Sequence, residues 1–170
     1  YLAEIEVRDN GKLISEMAPN ARALASHCHF YAGLAETVHG YTTQPTAPNF
    51  FTYTLREPIG VCGAITPWNT PLVLLAWKLL PALAAGNTMV IKPSEVTPTS
   101  TLLLAELCLE AGVPPGVVNV ITGAGAAGAA LAAHPGLDKI AFTGSAATGR
   151  HVAHAAVDNH TRFTLELGGK

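Results

Sequence analysis

Charge is scarce in this chain of 170 residues: only 13% are Asp, Glu, Lys or Arg, and the formal net charge is -2. That balance leaves no electrostatic footprint for nucleic acid or for an anionic membrane surface. Cysteine is scarce too. The 3 present, Cys28, Cys62 and Cys108, form no Cys-x-x-Cys pair, which fits a reducing, cytoplasmic setting. Pro98, Pro114 and scattered polar residues break the apolar runs well short of a membrane span. No signal-peptide pattern, fixed-period repeat or low-complexity tract stands out. The 7 histidines show no spacing with cysteines or carboxylates that suggests a metal, and His151 and His154, one helical turn apart, read as surface residues. Hydrophobic residues make up 49% of the chain, enough for one domain organised on a buried parallel sheet.

Both ends read as cut. Tyr1 starts inside a helix-like pattern, and Lys170 follows Gly168-Gly169 just after a strand-like run, so a fragment of a longer protein is expected.

The first helix is expected up to Asn10-Gly11, a C-terminal stop. A second is expected from about Asn20, after Pro19, to Gly40, with Leu24, Cys28, Tyr31, Leu34 and Val38 as its apolar stripe and Cys28 a small core residue. Residues 41–49 shift to Thr, Gln, Pro and Asn, a loop or excursion, and residues 50–55 alternate as a half-buried strand does. Thereafter a βα pattern repeats. Strands are expected at residues 59–66, 88–92, 117–121, 139–142 and 163–167, and helices at 71–85, 99–111, 126–134 and 146–157. Four helices alternating with five strands predict a doubly wound parallel α/β sheet, preceded by an N-terminal helical layer and a β-excursion. In such a sheet ligands bind beyond the carboxyl ends of the strands, which places Asn69, Lys92 and Glu95 along one crevice.

The motifs at those ends each admit two readings. Gly123-Ala-Gly125-Ala-Ala-Gly128 follows a strand and opens a helix, as a dinucleotide fingerprint does, but the next strand ends Phe142-Thr143-Gly144 without the acid that would hold a ribose. Its other reading is a Gly/Ala turn for close helix packing. Glu95, just after residues 88–92, stands where that acid belongs, with Lys92 as a cation beside it; alternatively Ser94 is an N-cap and Glu95 a helix-start charge. Ser145 opens a helix whose free amides suit a phosphate, or simply caps it. Glu166, at the end of an apolar strand, is a general base if burial raises its pKa, or a solvent-facing residue if not. Asn69 is an oxyanion donor or an N-cap for the helix near Pro71.

Taken together, these stretches resemble the aldehyde dehydrogenase superfamily. Pro67-Trp68-Asn69, Lys92-Pro-Ser-Glu95, Phe142-Thr-Gly-Ser145 and Leu165-Glu-Leu-Gly-Gly-Lys170 stand in that family's order and spacing, and Arg8-Asp-Asn-Gly-Lys12 agrees near the start. The resemblance implies a helical part at residues 1–40, a β-extension toward an oligomerisation region at 41–58, and a Rossmann-like NAD(P)-binding domain from 59 to 170, with the catalytic domain absent. It implies NAD, with NADP possible, as cofactor, and an aldehyde as substrate of the full-length protein. Homodimers or homotetramers are implied through the β-extension, because residues 50–55 would make a sticky edge if left uncovered.

In such enzymes a cysteine attacks the aldehyde, the thiohemiacetal passes hydride to the nicotinamide, and water hydrolyses the thioester. By matching positions, Asn69 holds the oxyanion and Glu166 is the general base. Lys92 and Glu95 bind the adenosine ribose, Ser145 approaches the pyrophosphate, and Gly125 and Gly128 border the adenine. Trp68 and Leu167 lie near the phosphates and nicotinamide, and Ile65, Thr66, Pro67, Ser94, Phe142, Thr143 and Gly144 complete the cofactor-binding set. A nucleotide-binding or structural module of the same fold without catalysis is the alternative.

The family's cysteine follows the Glu166 motif by some tens of residues, beyond Lys170. Cys28, Cys62 and Cys108, on apolar helix faces or inside a strand, are not placed as nucleophiles. The 170-residue chain by itself is therefore expected to show no aldehyde oxidation. Steady-state assay of the purified chain checks this, and turnover that Glu166→Gln abolishes would overturn it.

Overall fold

The structure, a computed structural model, describes residues 1–169. Helix α1 (Leu2–Asn10) ends at Gly11, which takes the left-handed conformation and donates to the Val7 carbonyl at 2.9 Å, the expected stop. Helix α2 (Ile14–Ala35) begins earlier than the sequence suggests, and Pro19 lies inside it. Pro19 lacks the amide that would bond Ser15, but both residues face solvent near the helix start, where water satisfies the freed carbonyl. Only the first part of α2 is covered: Met17 and Leu24 are buried, whereas Leu34 and Val38 are exposed. Cys28 is likewise exposed, so its assignment to the core is corrected. The stripe is apolar, but its second half is only partly covered, with His27 and Tyr31 half-buried and the residues around them exposed.

Strands β1 (Thr42–Thr43) and β2 (Thr52–Tyr53) form a two-residue antiparallel ribbon. The expected half-buried strand at residues 50–55 shrinks to this pair. Its alternation is real, but Phe51, Tyr53 and Leu55 remain exposed because no layer covers the ribbon.

The main sheet comprises β3 (Val61–Ile65), β4 (Thr88–Lys92), β5 (Val118–Val120), β6 (Lys139–Gly144) and β7 (Arg162–Leu167), all parallel, in the order β5-β4-β3-β6-β7. Helices α3 (Pro71–Ala84), α4 (Thr99–Glu110), α5 (Gly125–Ala132) and α6 (Ala146–Asp158) make the crossovers. The chain steps outward from β3 to β5, then returns to the other side of β3. The core follows the two-residue period of the strands. Cys62, Ala64, Met89 and Ile91 pack with Leu75 and Leu79 of α3. On the opposite face Ile140 and Phe142 pack with Leu131, Ala132, Val152 and Ala156 of α5 and α6. Burying one such leucine contributes about 1.5–3 kcal/mol.

At the opposite end of the sheet from the carboxyl edge, Gly60 has a φ of 123°, where a Cβ would collide with the Asp138 carboxylate. That carboxylate instead accepts from the Val61 amide at 2.8 Å and fixes the start of β3 against β6.

Helix α1 lies against α4 and reaches the N-termini of both α3 and α4. The N-cap residues of these helices, Thr70 and Pro98, make no side-chain cap bond. Glu6, fully buried, accepts from the Leu72 amide at 2.8 Å. Asp9, one turn on, accepts from the Thr99 amide and hydroxyl at 3.1 Å each. The free amides of two helices are thus satisfied by a third element.

Burial raises the Glu6 pKa, partly opposed by the Leu72 amide. A carboxyl whose pKa is raised in the folded state favours the fold most below its unfolded value, and that contribution is lost as pH rises through the folded value. Glu6→Gln, which keeps an acceptor without the charge, is therefore expected to raise the melting temperature at pH 7.5 relative to the parent, and to make little difference near pH 4. Glu6→Ala leaves the Leu72 amide unpaired and is expected to cost about 1–3 kcal/mol at either pH. Thermal and denaturant unfolding at the two pH values check both outcomes.

Candidate active site

A cleft of about 1620 Å³ opens along the carboxyl edge of the sheet. The order of strands puts its centre between β3 and β6, where successive crossovers leave in opposite directions; such a switch point is where open α/β sheets bind ligands. Register aligns the edge. Ile65 stands between Lys92 on one side and Phe142 on the other, and β7 follows with Glu166 opposite Thr143. From Lys92 to Glu166 the site spans three strand spacings, roughly 14 Å.

Every candidate site residue from the sequence borders this cleft: Ile65, Thr66, Pro67, Trp68 and Asn69 at and after the end of β3; Lys92, Ser94 and Glu95 at and after the end of β4; Gly125 and Gly128 on α5; Phe142, Thr143, Gly144 and Ser145 at and after the end of β6; and Glu166 and Leu167 on β7. Their surroundings decide several of the open readings.

Beyond β4, Lys92 is buried and its ammonium bonds the Glu95 carboxylate at 3.0 Å. The Glu95 carboxyl is held below its usual range by its own backbone amide, and by the hydrogen bond and charge of Lys92. The helix-start reading fails here. Helix α4 begins only at Thr99, and Asp9, not Ser94, satisfies its amide.

Beyond β3, the N-cap reading of Asn69 fails in the same way. The α3 terminus belongs to Glu6, and the Asn69 side chain, exposed on the cleft, has no hydrogen bond among the described residues. Its backbone carbonyl accepts from the Asn10 side chain at 3.4 Å. Thr66 is buried, and its hydroxyl has no hydrogen-bond partner among the described residues.

On the far side of the switch point, Ser145 caps α6 by accepting from the Thr148 amide at 3.2 Å. The capping reading therefore holds, and Ser145 and Thr148 of this first turn line the cleft. At Gly125 a Cβ would meet nothing within 4 Å; at Gly128 it would rest 3.7 Å from Ile65 and 3.9 Å from Lys92. Side chains at these positions would occupy cleft rather than core.

Glu166 is exposed, so of its two readings the solvent-facing one describes its surroundings, and burial does not tune its carboxyl. Residue 166 sits on the outer edge strand, on the sheet face that α3 packs against over β3 and β4 but leaves open at β7. What the sequence reading missed is Lys78. Its ammonium donates to the Thr143 hydroxyl at 2.6 Å, beside Glu166 in the register. Burial pushes the Lys78 pKa down, and the charge of Glu166 pushes it back up. The signal was available: Lys78 is the one charged residue in the otherwise apolar α3.

Burial raises the thiol pKa of Cys62 and of Cys108, so both stay protonated near neutral pH; Cys62 borders the cleft from inside β3. Among the described residues no three His, Cys, Asp or Glu side chains gather as a metal site requires.

The sheet order and the cleft define a dinucleotide-binding unit of Rossmann type. The family model described as the aldehyde dehydrogenase family matches residues 1–170, and the chain belongs to that family. It is 49% identical over 174 aligned positions to betaine aldehyde dehydrogenase 1 of Oryza sativa subsp. japonica, covering 100% of this chain and 34% of the relative. The fold superimposes on PnpE in complex with nicotinamide adenine dinucleotide with a TM-score of 0.95 at 48% identity, over 99% of this chain and 35% of that one. On betaine aldehyde dehydrogenase from Staphylococcus aureus in complex with NAD+ the TM-score is 0.96 at 40% identity, over 99% and 34%. The chain thus spans about a third of the length of these relatives.

Removing the Glu166 charge is expected to lower the Lys78 pKa further, because the only opposing influence on its desolvation is lost. Competitive acetylation of Lys78 across pH, read by mass spectrometry in the parent and in Glu166→Gln, measures this. An unchanged profile would show that the two groups do not share a field.

Proposed function

We propose that this chain is the cofactor-binding portion of an NAD(P)-dependent aldehyde dehydrogenase that oxidises an aldehyde to a carboxylic acid. The observation that carries the reading is the convergence on one switch-point cleft of buried Lys92 paired with solvent-side Glu95 and of the Ser145-capped start of α6 with Asn69, Lys78 and Glu166. The site fits a dinucleotide on two features. Thr66 presents a buried hydroxyl without a hydrogen-bond partner among the described residues, and Gly125 leaves open the space that a side chain would fill.

Lys92 and Glu95 would hold the adenosine ribose, with Ser94 beside them and Gly125 and Gly128 bordering the adenine. Ser145 and the α6 amides would face the pyrophosphate near Trp68, with Pro67, Phe142 and Gly144 lining its path. Ile65, Thr66, Thr143 and Leu167 would flank the nicotinamide end. The bound cofactor supplies the hydride acceptor. Asn69, its side chain uncommitted, donates to the oxyanion that forms on the aldehyde carbon. Glu166 takes a proton from water or from the attacking thiol. Lys78, hydrogen-bonded to Thr143, keeps a fixed positive charge beside that carboxylate. The nucleophilic cysteine belongs to the part of the relatives' length that this chain does not span.

Residues 1–40, 41–58 and 59–170 are read as the helical part, the β-extension and the NAD(P)-binding domain. Exposed Phe51, Tyr53 and Leu55 on the ribbon support pairing between copies, as a homodimer or homotetramer. Free cysteines support a reducing, cytoplasmic setting. No described helix is long and apolar enough to cross a membrane.

NAD is preferred over NADP because the Glu95 carboxylate stays charged where a 2′-phosphate would sit. Glu95→Ala in a full-length family polypeptide carrying this sequence is expected to weaken NAD binding and strengthen NADP binding, narrowing the preference by about tenfold, or ~1.4 kcal/mol. Fluorescence titration of both cofactors checks it, and unchanged dissociation constants would refute the ribose assignment.

A further inference from the structure

We propose that α1 is a positioning element for the Asn69 amide, acting through Glu6 and Asn10. This rests on the reading of Asn69 as the oxyanion donor. The two residues lie four apart on α1, hence on one helix face. Asn10 donates to the carbonyl of Asn69 itself, and Glu6 accepts from the amide of Leu72, three residues later. One rigid helix therefore grips the backbone at and just after Asn69, across a loop with no other side-chain tether among the described residues.

The Glu6 grip is short and buried, whereas the Asn10 bond is longer, at 3.4 Å, and exposed. Glu6 is fully buried, with one oxygen on the Leu72 amide and the second without a hydrogen bond among the described residues. The Asn10 side chain is itself held. Its oxygen accepts from the Lys12 amide at 2.9 Å, which turns the NH2 toward Asn69 and the buried Met17 sulfur at 3.5 Å. The Asn69 side chain, by contrast, spends none of its hydrogen-bonding capacity on the protein. A donor left free for a reacting oxygen must be placed by its backbone, and here the backbone is placed by α1. Asp9, between the two, holds the start of α4 instead, so the same helix also fixes the loop that carries Lys92 and Glu95.

The test uses a full-length family polypeptide carrying this sequence. The variants are Glu6→Ala, Glu6→Gln, Asn10→Ala and Asn69→Ala, and the first and third are also combined with Asn69→Ala. A displacement on the order of 1 Å at a catalytic group costs about 100-fold in rate. Glu6→Ala and Asn10→Ala are expected to lower kcat by about 10- to 100-fold without weakening NAD binding, and Glu6→Gln, which keeps an acceptor for Leu72, to retain most of it.

The decisive measurement is the double-mutant cycle. If α1 acts through Asn69, neither alanine change lowers kcat further once Asn69 is already alanine. Full multiplicative losses in that background would overturn the proposal while leaving the oxyanion reading intact. An unchanged kcat in Asn69→Ala would remove both. Should Glu6→Ala fail to fold, the Asn10→Ala cycle and the Glu6→Gln rate decide; a Glu6→Gln as slow as a misplaced donor overturns the tether.

Discussion

The reversal of strand order at β3 governs this molecule. Because β4 and β6 flank β3 on opposite sides, the crossovers that leave the two ends of the pair diverge, and nothing in the fold can close the gap above Ile65. The central strands β3, β4 and β6 are largely apolar and buried, so the polar residues of this region have few other places to go. They collect at the strand ends, where backbone groups also need partners. A cleft lined by Lys92, Glu95, Ser145, Thr66 and Asn69 follows from that arrangement of layers before any chemistry is invoked.

Within the cleft the scarce charges are placed in pairs. Lys92 is buried, and its partner Glu95 lies at the solvent side with its carboxyl held below the usual range. Lys78 is desolvated on α3 and relies on the Thr143 hydroxyl and the field of Glu166. Two acids of α1 complete the set by satisfying helix amides from outside those helices. The small number of charged residues is consistent with this economy, since most of the buried or half-buried ones have an identified partner.

How much of this was legible in the sequence divides by range. Strands β3 to β7 and the helices between them were legible because short apolar runs, capping glycines and alternating periods are local signals. Their carboxyl ends then located the cleft residues without further information. What escaped depends on contacts between distant segments. The Glu6 and Asp9 caps join residues 66 and 90 positions apart, so Asn69 and Ser94 looked like natural caps when read alone. Proline at the head of a helix is common, which misplaced the start of α2 at Pro19. An apolar stripe states that a helix can be buried, not that this chain buries it, and Cys28, Leu34 and Val38 remain in solvent. Apolar neighbours left Glu166 open to a buried or a solvent-facing reading, and only the strand order, which puts β7 at the edge, decides for solvent.

The contact between Gly60, Val61 and Asp138 carries a kinetic consequence. Val61 and Asp138 are 77 residues apart, so the central pairing of β3 with β6 closes a long loop. The β3-β4-β5 half, joined by short crossovers, can assemble while the chain is still emerging from the ribosome, with one face of Ile65 and Val90 still waiting for α5 and α6. Parallel pairing of this separation is slow by its topology. During that interval the half-sheet exposes an apolar surface and an open β3 edge. Such a nascent form is a natural client for a holdase chaperone, whatever the stability of the finished fold.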